Sequence, residues 1–351
     1  METQQHEPGV YFGMPFEEYV NDPALSYSGI KHLLISPLTY WVRSGMNPKR
    51  VDNSTPAKEF GHLFHHRVLF GYEDFCRLHR ALPAKEDFPN LLDGVEALRE
   101  RCGWFGLKKS GTLLEMAERI IENDPGAQLW PIILRDFHAN LPPGGKVIKS
   151  ETADQIEAMA GMIEAHPMGR QVFQYGSPEV SIFWIHEETG CRMKARVDYL
   201  REKETVDIKT FSNVMEVDTN QAVIRAIANR KYHIQAAVYF DAVQAAKGLI
   251  RQGAVFGQPN HALCTGLVNR MQEPPRFFFL FIESGEANNL VIKEIPSQGL
   301  IFSTGQGLYK KGVKTFMDCS SRFGAAPWVD TTKYTVLKDH EFPAYALLEE
   351  D

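Results

Sequence analysis

Near residue 178 the apolar residues of this chain change period. Before that point they recur every three or four residues, as on helix faces. From Glu179 to Phe211 they alternate, in "EVSIFWI", "CRMKARVDYL" and "ETVDIKTF". A period of 2 calls for strands, and three such runs joined by short polar turns predict an antiparallel three-strand meander. The last two runs flank the charged turn "REKE". A loop closing between Leu200 and Thr205 sets a register that puts Asp198 directly opposite Asp207. Opposed Cβ atoms lie about 4.5–5.5 Å apart, and like charges there destabilise a sheet.

A divalent cation between the two aspartates would turn that repulsion into binding. Mg²⁺ is a hard ion that takes one or two carboxylates and keeps waters and phosphate oxygens as its other ligands. Alternation places Lys194, Arg196 and Asp198 on one face of their strand, and Asp207 and Lys209 on one face of theirs. The same register sets Lys209 opposite Arg196. Two acids and three bases on one face suit a metal plus a polyanion. They equally describe the solvated outer face of a half-exposed sheet. A metal here would acidify a bound water and offset charge on a phosphoryl group, with Lys209 placed to orient the water or hold the phosphate.

The chain has 351 residues, 44% hydrophobic and 23% charged, enough for one large globular domain or two ordinary ones. No apolar run approaches the roughly 18 residues needed to cross a bilayer. The opening "METQQHEPGV" has no basic or apolar region of the kind a secretion signal carries. Cys76, Cys102, Cys191, Cys264 and Cys319 are scattered, with no C-x-x-C pair. That predicts a reducing, cytoplasmic setting and argues against a zinc or iron–sulfur centre. A net charge of −6 gives no global sign of nucleic-acid binding. A DNA binder with this balance must concentrate its positive charge in one groove.

Upstream the pattern is helical. In "DPALSYSGIKHLLISPLTYW" either Ser26 or Ser28 is placed to cap a helix carrying Ile30, Leu33 and Leu34, and Pro37 ends that helix or starts the next. "AKEFGHLFHHRVLF" has helical spacing at Phe60, Leu63, Phe64 and Val68 and carries His62, His65 and His66. Two amphipathic helices flank "FGLKKSGTL", the second capped by Ser110 or Thr112. "LPPGGK" reads as a linker, and Thr152 with Gln155 fits a capping box. After the meander come a helical region over "NQAVIRAIANRKYHIQAAVYFDAVQAA", strands "RFFFLFI" and "NLVIKEI", and a helix over 299–322.

Four motifs now stand in order: Gly61-x-x-x-His65 on a helix, Asp198 on the meander, Asp207-Ile208-Lys209 on the next strand, and Gln235-x-x-x-Tyr239 on the following helix. This set resembles the PDDEXK nuclease superfamily, in its RecB/RecE-like branch, closest to the RecE-like (exonuclease VIII-like) nucleases and related phage proteins. The resemblance runs from about residue 11 into the C-terminal part. It implies a mixed α/β (α+β) PDDEXK core, a mixed central sheet with an antiparallel three-strand meander flanked by helices. The implied organisation is an N-terminal helical part over 11–88, a nuclease core over 145–351, and between them a helical insertion over 90–124. That insertion resembles a SAP-type DNA-binding motif, with Lys108 and Lys109 meeting phosphate.

Carried over residue by residue, the resemblance makes His65, Asp198, Asp207 and the carbonyl of Ile208 ligands of Mg²⁺ or Mn²⁺. Lys209 would act on the attacking water, and Gln235 and Tyr239 would face the DNA strand. Glu179 matches a further acid of the family, though a solvated strand-end glutamate reads as well. Alone, His65 would read as a buried histidine bonded to backbone, and His62 and His66 as packing or phosphate contacts. Arg225, Arg230, Lys231 and His233 form a backbone-tracking groove or a solvated helix face. Ser26 and Ser28 hold a 5′-phosphate or simply cap a helix.

The implied activity is a Mg²⁺-dependent, 5′-to-3′ double-strand DNA exonuclease. It would act as a ring of three or four copies and make 3′ overhangs for a single-strand annealing protein in recombination, with no membrane association. A PDDEXK endonuclease and a non-catalytic DNA-end-binding protein on the same fold are the alternatives. No G-x-S-x-G, H-E-x-x-H or Walker P-loop motif points to another hydrolase or a motor.

Overall fold

The alternating region is a meander: Gly176–Ile185, Arg192–Arg201 and Glu204–Phe211 are consecutive antiparallel strands. The computed structural model describes residues 5–51, 55–329 and 336–341. Its strands are β1 (Gly9–Phe12), β2 (His79–Ala81), β3 (Lys146–Ile148), β4 (Gly176–Ile185), β5 (Arg192–Arg201), β6 (Glu204–Phe211), β7 (Val255–Gly257), β8 (Arg276–Glu283) and β9 (Leu290–Ile295). The first helices are α1 (Phe16–Asn21), α2 (Tyr27–Ile35), α3 (Pro37–Arg43), α4 (Pro56–Phe70) and α5 (Tyr72–Leu78). Next come α6 (Gly94–Trp104), α7 (Leu113–Asn123), α8 (Trp130–Ala139), α9 (Ser150–Ala165) and α10 (Pro167–Val172). The last are α11 (Thr219–Asn229), α12 (Tyr232–Arg251), α13 (His261–Asn269) and α14 (Leu300–Phe323).

Seven strands form one mixed sheet in the order β7-β1-β4-β5-β6-β8-β9. β8 runs parallel to β6, its neighbour, and the chain between them carries α11 and α12. A parallel pair needs such a crossover. "RFFFLFI" is an unbroken apolar run because β8 is buried on both faces. Phe277, Phe279 and Phe281 pack with Ile234, Val238 and Ala242 of α12, while Leu280 and Ile282 pack with Phe64 of α4 and Ile156 and Met159 of α9. Full burial of each such side chain contributes about 1.5–3 kcal/mol on transfer from water. α14 reaches α12 closely at Gly305, where a Cβ would collide with the carbonyl of His233.

The N-terminal and C-terminal parts share one core. β1 pairs with β4 and β7, and Ile30 of α2 lies against Gly312 of α14. Helices α6, α7 and α8 have a separate small core around Leu98, Cys102, Met116, Ile120 and Ile132.

Several local expectations change. The region over 220–246 is two helices, broken at Lys231, whose φ is +56. Thr152 and Gln155 form no capping box, because α9 begins two residues earlier at Ser150 without a side-chain cap. Lys146, the last residue of "LPPGGK", opens β3. Ser26 caps α2, Ser36 caps α3 with Pro37 in its first turn, and Thr112 with Glu115 caps α7 reciprocally.

Candidate active site

Backbone pairing fails along one row of the sheet. β4 and β5 pair on either side of Glu179 and Asp198, at Pro178–Tyr199 and Val180–Val197, but not at those two residues. β5 and β6 pair at Leu200–Thr205 and Tyr199–Val206 and then part. The hairpin register is the one the turn predicts, and Asp198 and Asp207 stand at the first missing rung. There the Ile208 amide donates to Asp198 Oδ2 at 2.8 Å, so a side chain takes the place of a ladder bond. The alternation slips at the same point: Met193, Ala195, Val197 and Leu200 pack on the α12 side, but Tyr199 packs on the other. Glu179 has φ +48, a left-handed conformation that costs a non-glycine residue roughly 1–2 kcal/mol. Such an outlier persists where surrounding structure enforces it, and it often marks a functional site. Lys209 opposite Arg196 is not realised, because the ladder ends before reaching them.

Three acids thus follow one another across adjacent strands. Asp207 is only 1% exposed. The Gln235 amide donates to its Oδ1 at 2.5 Å, and the Lys209 ammonium pairs with its Oδ2, an oxygen with no aligned hydrogen-bond donor. Burial raises the carboxyls of both Asp198 and Asp207 to about 6, against the pull of Lys209. Burial works against the charge of Lys209 too, but Asp207 and Asp198 outweigh it and hold that ammonium above its usual pKa. The Tyr232 ring lies 5.1 Å from the same ammonium. His65 Nδ1 stands 3.6 Å from Asp198 Oδ2, and burial, then Lys209, lower the imidazole to about 4. It is therefore neutral at pH 7 and able to donate a lone pair.

Two ionisable carboxylates, a neutral imidazole and an orphaned carboxylate oxygen are the donor types a hard divalent cation accepts. They fit in kind. In spacing, no group of three or more His, Cys, Asp or Glu side chains among the described residues stands ready to hold a metal ion. On the Asp207 side, Lys209 takes the oxygen such a site would use.

Other sequence-predicted residues lie elsewhere or do other work. Lys194 is a correction. Its ammonium is buried and donates to the carbonyls of Tyr19 (2.6 Å), Val20 (3.2 Å) and Asp22 (2.6 Å), so it closes the end of α1 and meets no phosphate. Arg196 is also spent inside, on the Met14 carbonyl, Ser181 and Glu179. The Tyr239 hydroxyl donates to the Arg196 carbonyl at 2.7 Å, and Gln235 is buried behind Asp207, so neither presents a free polar group to a strand. Lys108 and Lys109 are exposed between α6 and α7. Arg225, Arg230 and Lys231 are exposed around the α11–α12 break. His66 bonds Asp74 (2.9 Å) and His79 (3.0 Å).

A cavity of about 320 Å³ opens beside the acid row, sharing Tyr239 with it; Ser26, Ser28, His32, Arg43 and Arg50 are in its wall. Burial lowers His32 to about 4, helped by Arg43, Lys31, Lys58 and Arg50, and burial lowers Lys31, helped by Lys209 and Arg230. The mouth of the site is therefore electropositive despite the acidic chain. Sequence reasoning missed Tyr232, although it sits three residues before Gln235 on the same helical face. It also missed Arg43 and Arg50, which no motif marks.

Residues 136–256 match the family model described as a PDDEXK-like domain of unknown function. No curated protein matches the chain. A Eubacterium rectale protein described as "Putative exonuclease" is similar in structure, with 14% identity over 87% of this chain and 86% of that one, at a TM-score of 0.48. No helix among the described residues is long and apolar enough to cross a membrane. Glu179, Asp198, Asp207, Lys209, Gln235 and Tyr239 all fall inside the segment of this chain that is similar to a PDDEXK-like domain.

Proposed function

We propose that this chain is a metal-dependent deoxyribonuclease that degrades duplex DNA from an end, in the 5′-to-3′ direction, as RecE-like exonucleases do. The reading is carried by the acid row at the broken ladder, with Lys209 against Asp207, inside the PDDEXK-like segment. Asp198, Asp207, His65 and the Ile208 carbonyl would hold Mg²⁺ or Mn²⁺. When bound, such an ion acidifies a water and offsets phosphoryl charge. The chain's own groups supply order. The Ile208 amide fixes Asp198, the Gln235 amide fixes Asp207, and Lys209 stays charged beside them. A held ammonium of this kind can steady a water or a phosphate oxygen through a charge-assisted hydrogen bond.

The direction of digestion is supported by the neighbouring cavity. Arg43 and Arg50 supply charge, Ser28 a free hydroxyl, and the start of α2 its amides, which together suit a terminal phosphate. Tyr239 lines that cavity and bonds the backbone two residues before Asp198, so a 5′-phosphate held there lies next to the acid row.

Linear duplex labelled at either 5′ or 3′ ends, with and without Mg²⁺, tests this beside closed circular duplex. The expected result is Mg²⁺-dependent loss of linear DNA alone, with the 5′ label released first. Cleavage of circles would make the protein an endonuclease. Binding without cleavage would make it an end-binding protein.

A further inference from the structure

The loop that follows the Lys209 strand carries two large apolar side chains almost wholly in water: Val214 is 86% exposed and Met215 76%. Loops that expose such residues are usually mobile enough to fold them away, but this one is tied. The Asn213 side chain donates to the Val217 carbonyl at 2.7 Å and accepts from the Val217 amide at 3.2 Å, and the Glu216 amide donates to the Asn213 carbonyl at 2.9 Å. Glu216 is held at φ +47, a conformation a non-glycine residue avoids unless its surroundings impose it. Both ends are anchored. Ser284 donates to the Phe211 carbonyl through its amide at 2.7 Å, and Asp218 caps α11. The fold therefore spends order on keeping a valine and a methionine out of the core.

Position supplies the occupant. Val214 is five residues beyond Lys209, within about 18 Å of it along an extended chain. α11 and its junction with α12 then expose Arg225, Arg230 and Lys231, none of which has an ion pair among the described residues. A rigid apolar point beside unpaired cations complements a duplex end, where bases are apolar in face and the backbone is anionic. Apolar side chains unstack base steps by inserting between them. A second copy of this acidic chain would gain less from the same cations.

We propose that Val214 and Met215 form a wedge that enters the duplex end and parts the terminal base pair, feeding one strand to the acid row. This rests on the nuclease reading of that row.

The test compares the protein with its V214S/M215S variant on blunt duplex and on duplex whose terminal nucleotides are already unpaired. The ratio of rates, unpaired over blunt, should rise about tenfold or more in the variant, equivalent to about 1.4 kcal/mol of lost barrier reduction. An equal fall on both substrates, or no fall on either, overturns the wedge. A changed oligomeric mass of the variant would assign the loop to contact between copies and also overturn it. A second readout needs no cleavage. In a D207N background, binding should brighten 2-aminopurine at the terminal pair, and adding V214S/M215S should abolish the rise. If the unaltered protein cleaves neither substrate, the nuclease reading falls, and the fluorescence alone decides the wedge.

Discussion

The carboxylate of Asp198 accepts a hydrogen bond from the amide of Ile208, the residue beside Asp207, and so fills the gap where β5 and β6 stop pairing. Replacing Asp198 separates its two roles. Asp198→Asn retains an acceptor for the amide, whereas Asp198→Ala leaves a backbone donor unmet. Loss of one partner of such a bond costs about 1–3 kcal/mol. Asp198→Ala should therefore unfold more easily than Asp198→Asn by that amount in urea, while both lose cleavage. Equal stabilities would mean that water satisfies the Ile208 amide.

The titration of the acid row gives a pH signature. Burial raises Asp198 and Asp207 from 3.8 to about 6 in the metal-free protein. Between about pH 4 and 6 the folded chain keeps protons that the unfolded chain has released. By linkage its stability falls as pH rises through that window and stays lower above it. Asp207→Asn removes one of the two groups, so its melting temperature should fall less than that of the unaltered protein from pH 4 to 6.5 in EDTA. Mg²⁺ should stabilise the unaltered protein more at pH 7.5 than at pH 5, because it competes with protons for the same oxygens. Parallel melting curves for the two proteins would refute the shifts.

Much of this site is legible in residue order, and the limits have physical causes. The period of 2 marks the meander and the turn sets its register, so Asp198 and Asp207 meet as expected. Alternation tells which side chains share a face but not what covers that face. Lys194 and Arg196 looked free because nothing local says that the carbonyls of α1, and those near Met14, close over them. The bulge at Glu179 needs a positive φ that no glycine announces. β1 is four residues long, too short for a period, and its pairing with β4 and β7 is set across more than 160 residues of chain.

Lys209 is the cation that balances the acid row in the metal-free state. Lys209→Met keeps the stem's bulk and removes the charge. Breaking a buried pair leaves the partner's charge uncompensated, at about 3–5 kcal/mol when fully enclosed and less here, where Lys209 is partly open. In EDTA at pH 7.5 the variant should melt lower than the unaltered protein, and Mg²⁺ should restore most of the difference. Single-turnover cleavage should fall by about 10²-fold or more, the scale for losing one preorganised donor, with DNA affinity retained. Full cleavage by the variant would remove Lys209 from the chemistry.

Ser26 and Ser28, two residues apart, have different work. Ser26 accepts from the Gly29 amide at 3.3 Å and caps α2, whereas Ser28 is exposed at the cavity wall and caps nothing. Ser26→Ala should cost about 1 kcal/mol of stability, as cap losses do. Ser28→Ala should leave the melting temperature unchanged and slow digestion of 5′-phosphorylated ends more than of 5′-hydroxyl ends. Rates on the two kinds of end, measured beside thermal melts, separate the roles. An equal loss on both ends by Ser28→Ala would remove the terminal phosphate from this cavity, and with it the main support for 5′-to-3′ digestion.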